Sequence, residues 1–218
     1  MRNPHPMYSG TAVLLLLGDG RFPGGGHAHS GGLEAAVAEG RVTGASGLRA
    51  FLEGKLHTTG VTDAWLAAAA CAGADPSLME AECEARCPSP ALRAAGRALG
   101  RGLRRAAARS WPEIAGVGVE QHPVVLGLVA RAAGLAPAGA ASLAVHGMLA
   151  GGASAAVRLL PLDMADAMAV VAGLAPEADA VAAEAAALAL EDGPARSAPV
   201  LERRAEEHAR WEVRLFAS

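Results

Sequence analysis

Apolar residues recur along most of the chain at the three- and four-residue spacing of an α-helix, and short breaks rich in Gly and Pro separate the runs. No strand-like alternation of useful length and no internal repeat appear. The first breaks predict helices at 7–17, 31–39 with Ser30 as its cap, 46–58, from 62 or 63 to 72, and from Asp75-Pro76. Ser89-Pro90 begins the longest predicted helix, which runs to 109, and further helices are predicted at 123–133, 137–149 and 153–160. Asp163 is the predicted cap of the next helix, and the last two run from Pro176 to 191 and from Pro199 almost to the C-terminus. We therefore predict an all-α fold, with one compact domain of about ten helices spanning residues 1–218.

Composition narrows the classes of protein that fit this pattern. The chain has 218 residues, of which 52% are hydrophobic but only 3% aromatic, so Ala, Leu and Val must fill a core of closely packed helices. A net charge of −3 gives no basic field for nucleic acid. Three cysteines without a CxxC pair favour a reducing cytoplasm over a disulfide framework. The uncharged stretch 132–157 contains Pro137 and five glycines, which favours two packed helices over a membrane span.

The run DGRFPGGGHAHSGGLEAAVAEG at 19–40 combines a glycine-rich turn with two histidines. A phosphate loop would need a lysine near the glycines, and none is present. His27 and His29 are weak candidates for metal ligands, because a site needs a third ligand from elsewhere in the chain. Cys83 and Cys87 share one face of a predicted helix and are equally incomplete as a metal site. The third interpretation of the run at 19–40 is a rigid turn with a purely structural role.

Two further patterns concern charge. Arginines at every fourth position predict a basic stripe along the helix at 90–109, formed by Arg93, Arg97, Arg101, Arg105 and Arg109. The stripe is either a solvated face, paired in part with Glu80, Glu82 and Glu84, or a surface for an acidic partner; we favour the solvated face. On the last predicted helix, Glu206 and Arg210 have the spacing of an ion pair.

The C-terminus ends in apolar residues where chain ends usually fray. His208, Trp211 and Leu215 lie on one face of the last predicted helix, and Phe216 follows. An apolar end of this kind indicates docking, either onto the body of the protein or onto a partner. Arg158 lies in the apolar context GGASAAVRLLPL, where a buried guanidinium would serve as an internal brace or as an interface anchor.

Taken together, four segments resemble the UreF family of urease accessory proteins. They are DGRFPGGGHAHSGGLEAAVAEGRV, QHPVVLGLVARAAGL, SAAVRLLPL and HARWEVRLFAS, and they occur in the family's order over almost the whole chain. Their ordered co-occurrence is more specific than any one of them. The chain departs from the family after Leu162, where Asp163-Met164 replaces the usual Gly-Gln, and the interior between Ala64 and Cys87 matches no family motif.

The resemblance implies an all-α, non-catalytic protein without a cofactor. Proteins of this family join the accessory protein UreD, also called UreH, and recruit the GTPase UreG to deliver nickel to apo-urease, and they tend to form homodimers. The alternative is a metallochaperone that binds nickel directly through His27 and His29. Under the first hypothesis the candidate partner-interface residues are Arg21, Glu34, Arg158, His208, Trp211, Arg214, Leu215 and Phe216.

Overall fold

The computed structural model describes residues 10–217, and over that range the regular elements are helices, with no strand. The α-helices are α1 Gly10–Gly18, α2 Leu33–Ala38, α3 Ala45–Lys55, α4 Val61–Ala72, α5 Pro76–Ala85, α6 Pro90–Ala107, α7 His122–Ala132, α8 Pro137–Leu159, α9 Met164–Gly173, α10 Ala175–Ala187 and α11 Pro199–His208. A π-helical turn at Leu56–Gly60 and two 3-10 turns at Gly26–Ala28 and Pro112–Gly116 complete the set. The prediction of an all-α fold is confirmed.

Helix α4 is the centre of the molecule. Ten of its residues are buried, including Trp65 and the run Leu66–Ala70, and it packs against α7, α8 and α10. Small side chains allow these close contacts, because a Cβ on Gly127 of α7 would clash with the backbone of Ala67. An alanine-rich sequence with few aromatic residues thus forms a dense core by bringing helix backbones together.

Several helix starts follow the predicted caps. The side chain of Asp75 accepts hydrogen bonds from the second and third residues of α5, Ser89 accepts one from Leu92 N, and Asp163 accepts one from Asp166 N. Helix α2 begins at Leu33, two residues later than predicted, although Ser30 Oγ does accept a hydrogen bond from Glu34 N at 3.3 Å. The predicted start of the first helix at Met7 lies outside the described residues.

Several predicted boundaries are wrong, among them the end predicted at 191, since α10 ends at Ala187. The predicted helices 137–149 and 153–160 are one helix, α8, which at 23 residues is longer than the 18-residue α6. The Gly151-Gly152 pair lies within this helix. Glycine is required at 152 because Leu52 of α3 packs directly against it: a Cβ on Gly152 would lie 2.5 Å from Leu52 Cδ2. Helices α3 and α4 are likewise continuous through the π-helical turn, so the predicted break near Gly60 is absent. The last helix ends at His208 rather than near the C-terminus.

Among the described residues, α8 is the one helix whose length and hydropathy would allow a membrane span. Half of its most apolar window is buried against other helices, as expected for the core helix of a globular domain.

Candidate partner-binding site

The C-terminal tail, defined here as residues 209–217, folds back onto α2 and is held by one carboxylate. Glu34 Oε1 accepts a hydrogen bond from Leu215 N at 2.7 Å, and Glu34 Oε2 accepts one from Phe216 N at 3.0 Å. The ring nitrogen Nε2 of His208 lies 2.8 Å from the same Oε2. Glu34 is only 8% exposed, so its charge depends on these three partners for solvation.

Burial and hydrogen bonding shift the pKa of Glu34 in opposite directions. Burial raises it, but the hydrogen bonds from Leu215 N, His208 and Phe216 N outweigh burial, and the pKa is lowered from 4.5. Because the folded-state pKa is depressed, the carboxylate stabilises the docked tail above about pH 4.5. That contribution is lost as the pH falls through the folded-state pKa.

Arg158 covers the end of the docked tail. Its guanidinium lies 4.5 Å from the centroid of the Phe216 ring, and its Nη1 donates a hydrogen bond to His27 O at 3.3 Å. Ala217 N donates a further hydrogen bond to Ala28 O at 2.8 Å. Arg158 itself is exposed, so it is not the buried guanidinium that its apolar context suggests. It connects α8, the turn at Gly26–Ala28 and the tail at the surface.

Helix α11 is fixed by two further carboxylates. Arg204, 7% exposed, places Nη2 2.7 Å from Glu39 Oε2 at the end of α2. Glu206 Oε1 accepts hydrogen bonds from Ser89 Oγ and, at 2.8 Å, from Ala91 N at the start of α6. The hydrogen bond from Ser89 lowers the pKa of Glu206, as does the one from Ala91 N. Glu206 is therefore bonded to α6 and not, as its spacing suggested, paired primarily with Arg210.

Part of the tail remains open to solvent although its backbone is anchored. The exposed fraction is 89% for Val213 and 52% for Leu215, whereas Phe216 is only 3% exposed. Arg214 is exposed and donates to Ala209 O at 3.4 Å, and the ring of Trp211 lies 4.7 Å from that of His208. We call the group formed by Arg158, His208, Trp211, Arg214, Leu215 and Phe216, of which His208 and Phe216 are buried beneath the others, the C-terminal platform.

The structure thus brings together most of the candidate interface residues. Glu34 lies beneath the C-terminal platform and holds it in place. Arg21 is the exception: its described contacts are with Asp19 only, in an exposed pair at 2.7 Å that lowers the pKa of Asp19 to about 2. The sequence analysis missed Glu39 and Arg204, and it assigned Glu206 to a different partner. Their spacing on α2 and α11 is typical of solvated helix faces, and nothing local shows that the two helices meet.

The two histidines of the glycine-rich turn do not gather other ligands. His27 is exposed, and His29 is half-buried, with a pKa lowered by burial and by its neighbour His27. In the part of the chain that the structure describes, no group of three or more His, Cys, Asp or Glu side chains is arranged to hold a metal ion. The geometry therefore adds no third ligand to the pair.

The arginine stripe on α6 is partly neutralised. Arg97 Nη1 lies 2.7 Å from Glu84 Oε1, and Arg101 Nη1 lies 2.8 Å from Glu120 Oε2. Arg93 Nη1 donates to Cys87 O at 2.6 Å. The first part of the stripe is therefore a solvated face with local partners, as favoured from the sequence. Arg105 and Arg109 are exposed and are not in ion pairs with described residues.

Comparison with known proteins agrees with the family resemblance found in the sequence. The sequence model of the UreF family matches residues 42–175. A urease accessory protein UreF from Mycolicibacterium vanbaalenii is 46% identical over 217 residues, covering 96% of this chain and all of the relative. A UreF from Mycobacterium sp. strain JLS is 44% identical, covering 94% and 98% of the two chains, and one from Mycobacterium tuberculosis is 41% identical, covering 95% and 98%.

Proposed function

Because the chain belongs to the UreF family of urease accessory proteins, we propose that it acts in the cytoplasm as a non-catalytic scaffold. With UreD, also called UreH, it recruits the GTPase UreG, and the complex inserts nickel into apo-urease. The observation that carries this proposal is the C-terminal platform. An apolar tail whose backbone is anchored by a buried carboxylate, but whose Val213 and Leu215 side chains are open to solvent, is suited to binding a protein partner.

The composition of the C-terminal platform supports a protein partner over a small molecule. It offers a tryptophan, two arginines and an exposed leucine, and interfaces are enriched in aromatic residues and arginine. Its backbone is already ordered by Glu34, so binding would cost little additional conformational entropy. None of its residues lines either of the two pockets described in the structure.

We propose the exposed face of α1 as the site of homodimerisation. Leu15 is 69% exposed and Leu16 is 51% exposed, beside an apolar groove of about 590 Å³ between α1, α8 and α10. Exposed leucines next to an apolar groove give one surface both the protrusion and the recess that a two-fold interface needs. Light scattering should give a dimer for the wild-type chain and a monomer for Leu16→Gln; a monomeric wild-type chain contradicts the assignment.

Co-purification tests the scaffold proposal. A tagged wild-type chain, co-expressed with UreD and UreG, should retain both proteins. Leu215→Ser should weaken retention at least about tenfold, because it removes an exposed apolar side chain and leaves the backbone bond to Glu34. Val200→Ser is the matched control, since Val200 is 53% exposed on α11.

The outcomes separate the two parts of the proposal. If neither UreD nor UreG is retained by the wild-type chain, the scaffold function is wrong. If both are retained equally by wild type, Leu215→Ser and a chain lacking residues 211–218, the function stands but the C-terminal platform is not the interface.

Direct nickel binding remains the second candidate function, supported by the exposed His27 and its neighbour His29. Equilibrium dialysis with Ni²⁺ alone distinguishes it. Binding tighter than about micromolar that is lost in the double variant His27→Ala, His29→Ala would favour this function over the scaffold.

A further inference from the structure

The arginine stripe concentrates positive charge in a chain whose net charge is −3. Residues 90–109, which cover α6 and the two residues after it, contain six arginines and no lysine, aspartate or glutamate. These arginines are Arg93, Arg97, Arg101, Arg104, Arg105 and Arg109. Helix faces that serve only to contact water commonly mix the two signs of charge. A run of one sign therefore raises the question of which carboxylates face it.

The carboxylates of the neighbouring helix α5 are already engaged. Glu80 accepts hydrogen bonds at 2.7 and 2.9 Å from the two backbone amides that precede α7. Glu82 forms an ion pair with Arg86, at the end of its own helix. Glu84 lies 2.7 Å from Arg97 Nη1. Helix α5 therefore neutralises the beginning of the stripe and leaves no carboxylate for its end.

The end of the stripe has no counter-charge in the part of the chain that the structure describes. We call Arg105 and Arg109, which are both exposed, the basic end of the stripe. Neither forms an ion pair or a side-chain hydrogen bond with a described residue. Glu120 is already bonded by two earlier arginines of α6. Glu113, in the following 3-10 turn, is exposed and is not in an ion pair with either arginine.

The backbone beneath the basic end is firmly held. Leu103 and Ala107 on the inner side of α6 are buried, and Trp111, just after the helix, is 7% exposed. Arg104 Nη1 donates a hydrogen bond to Val117 O at 2.7 Å, which ties the last turn of α6 to the segment before α7. Because the backbone is fixed, a partner that binds here has to order only arginine side chains.

We propose that Arg105 and Arg109 bind an acidic surface of a partner protein. Guanidinium groups pair well with carboxylates, and complementary charge guides and orients protein association. Neither arginine lines a described pocket, so the site has no recess for a small anion. Two arginines are also far fewer than the about 6–10 phosphate contacts of a typical nucleic-acid site.

The inference rests on the proposed scaffold function, and it adds a second interface to it. The residues of the basic end are different from those of the C-terminal platform. A scaffold that holds two proteins at once needs two surfaces, and these two differ in chemistry. The C-terminal platform offers exposed apolar side chains, whereas the basic end offers charge alone.

Co-purification of a tagged chain with co-expressed UreD and UreG tests the inference. The double variant Arg105→Gln, Arg109→Gln should lower the retention of one of the two proteins at least about fivefold. The double variant Arg105→Lys, Arg109→Lys keeps both charges and should restore most of that retention. Raising NaCl to about 0.5 M should bring wild-type retention close to that of the Gln variant, because salt screens exposed charges.

The matched control removes two other positive charges. Arg41 and Arg203 are also exposed, but each is paired, with Glu39 at 3.2 Å and with Glu207 at 2.6 Å. The double variant Arg41→Gln, Arg203→Gln has the same net charge as the Gln variant of the basic end. We expect it to retain both proteins at the wild-type level. The melting temperature of the basic-end Gln variant should stay within about 2 °C of wild type.

The remaining outcomes each overturn the inference. If the wild-type chain retains neither protein, the scaffold function is wrong and this inference fails with it. If the wild-type chain and the Gln variant of the basic end retain both proteins equally, the scaffold function stands and only this inference is wrong. If retention falls only together with a melting temperature lowered by more than about 5 °C, the arginines stabilise the helix instead. If ribonuclease treatment releases the retained protein, the basic end binds RNA.

Discussion

At the scale of single residues, the half-buried Asp63 and His122 are ionisable groups whose protonation has opposite effects on stability. Burial raises the pKa of Asp63 to about 6, although Lys55 opposes the shift. Burial, and then the neighbouring His29, lowers the pKa of His122 to about 4. Asp63 thus favours folding more strongly as the pH falls below about 6, whereas His122 stabilises the fold above about pH 6.5 and loses that effect as the pH falls towards 4.

In the wild-type chain, the effects of Asp63 and His122 on the pH dependence of the free energy of unfolding should therefore largely cancel. In Asp63→Asn, the free energy of unfolding should fall by about 2 kcal/mol more between pH 6.5 and 4.5 than in wild type. In His122→Asn it should fall by about 2 kcal/mol less. Urea denaturation at several pH values measures both slopes, and identical slopes in the two variants would show that these groups do not titrate as described.

A second prediction at this scale concerns Glu34. Glu34→Gln keeps the shape of the side chain but replaces one acceptor oxygen with a donor group. We expect the amides of Leu215 and Phe216 to lose their protection from hydrogen exchange, and the free energy of unfolding to fall by about 2 kcal/mol. The control is Glu191→Gln in the exposed segment between α10 and α11. Protection that is unchanged in Glu34→Gln would mean that the tail is held by its apolar contacts alone.

At the scale of elements, local chemistry decides where helices start but not always where they stop. Asp75, Ser89 and Asp163 could be identified as caps because a cap depends on residues within one turn. The continuity of α8 could not be predicted, because the Gly151-Gly152 pair has the local signature of a break and is explained only by Leu52 of α3. The early end of α11 has a similar cause: Glu34, from α2, bonds the amides of Leu215 and Phe216.

The adjacent glycines of α8 offer an internal test of this packing. Gly152→Ala should destabilise the protein by about 1–3 kcal/mol, because the new methyl group would overlap Leu52. Gly151→Ala should stabilise it by about 0.5–1 kcal/mol, since nothing lies within 4 Å of a Cβ there and alanine favours a helix. Thermal unfolding of the two variants measures the contrast; equal melting temperatures would show that α3 and α8 do not meet at Gly152.

At the scale of the whole molecule, the candidate site is a long-range assembly. The carboxylate of Glu34 meets the amide of Leu215 across 181 positions of sequence, and Arg158 of α8 contacts the Phe216 ring and His27 O. Residue types and motif order identified most of the participants, but the contacts follow from how α2, α8 and α11 pack. Whether the tail docks on the body or on a partner was open from the sequence; its backbone docks on the body, and its exposed side chains remain for a partner.

If the proposed scaffold function is right, nickel reaches urease only when this chain is present, and the nickel content of purified urease tests this most directly. Urease should be purified from a host that lacks the gene for this chain, from the same host carrying the wild-type gene, and from one carrying Leu215→Ser. We predict nickel-poor enzyme without the gene, full occupancy with wild type, and occupancy reduced several-fold with Leu215→Ser. Full nickel occupancy in the host that lacks the gene, at physiological nickel concentration, would contradict the account.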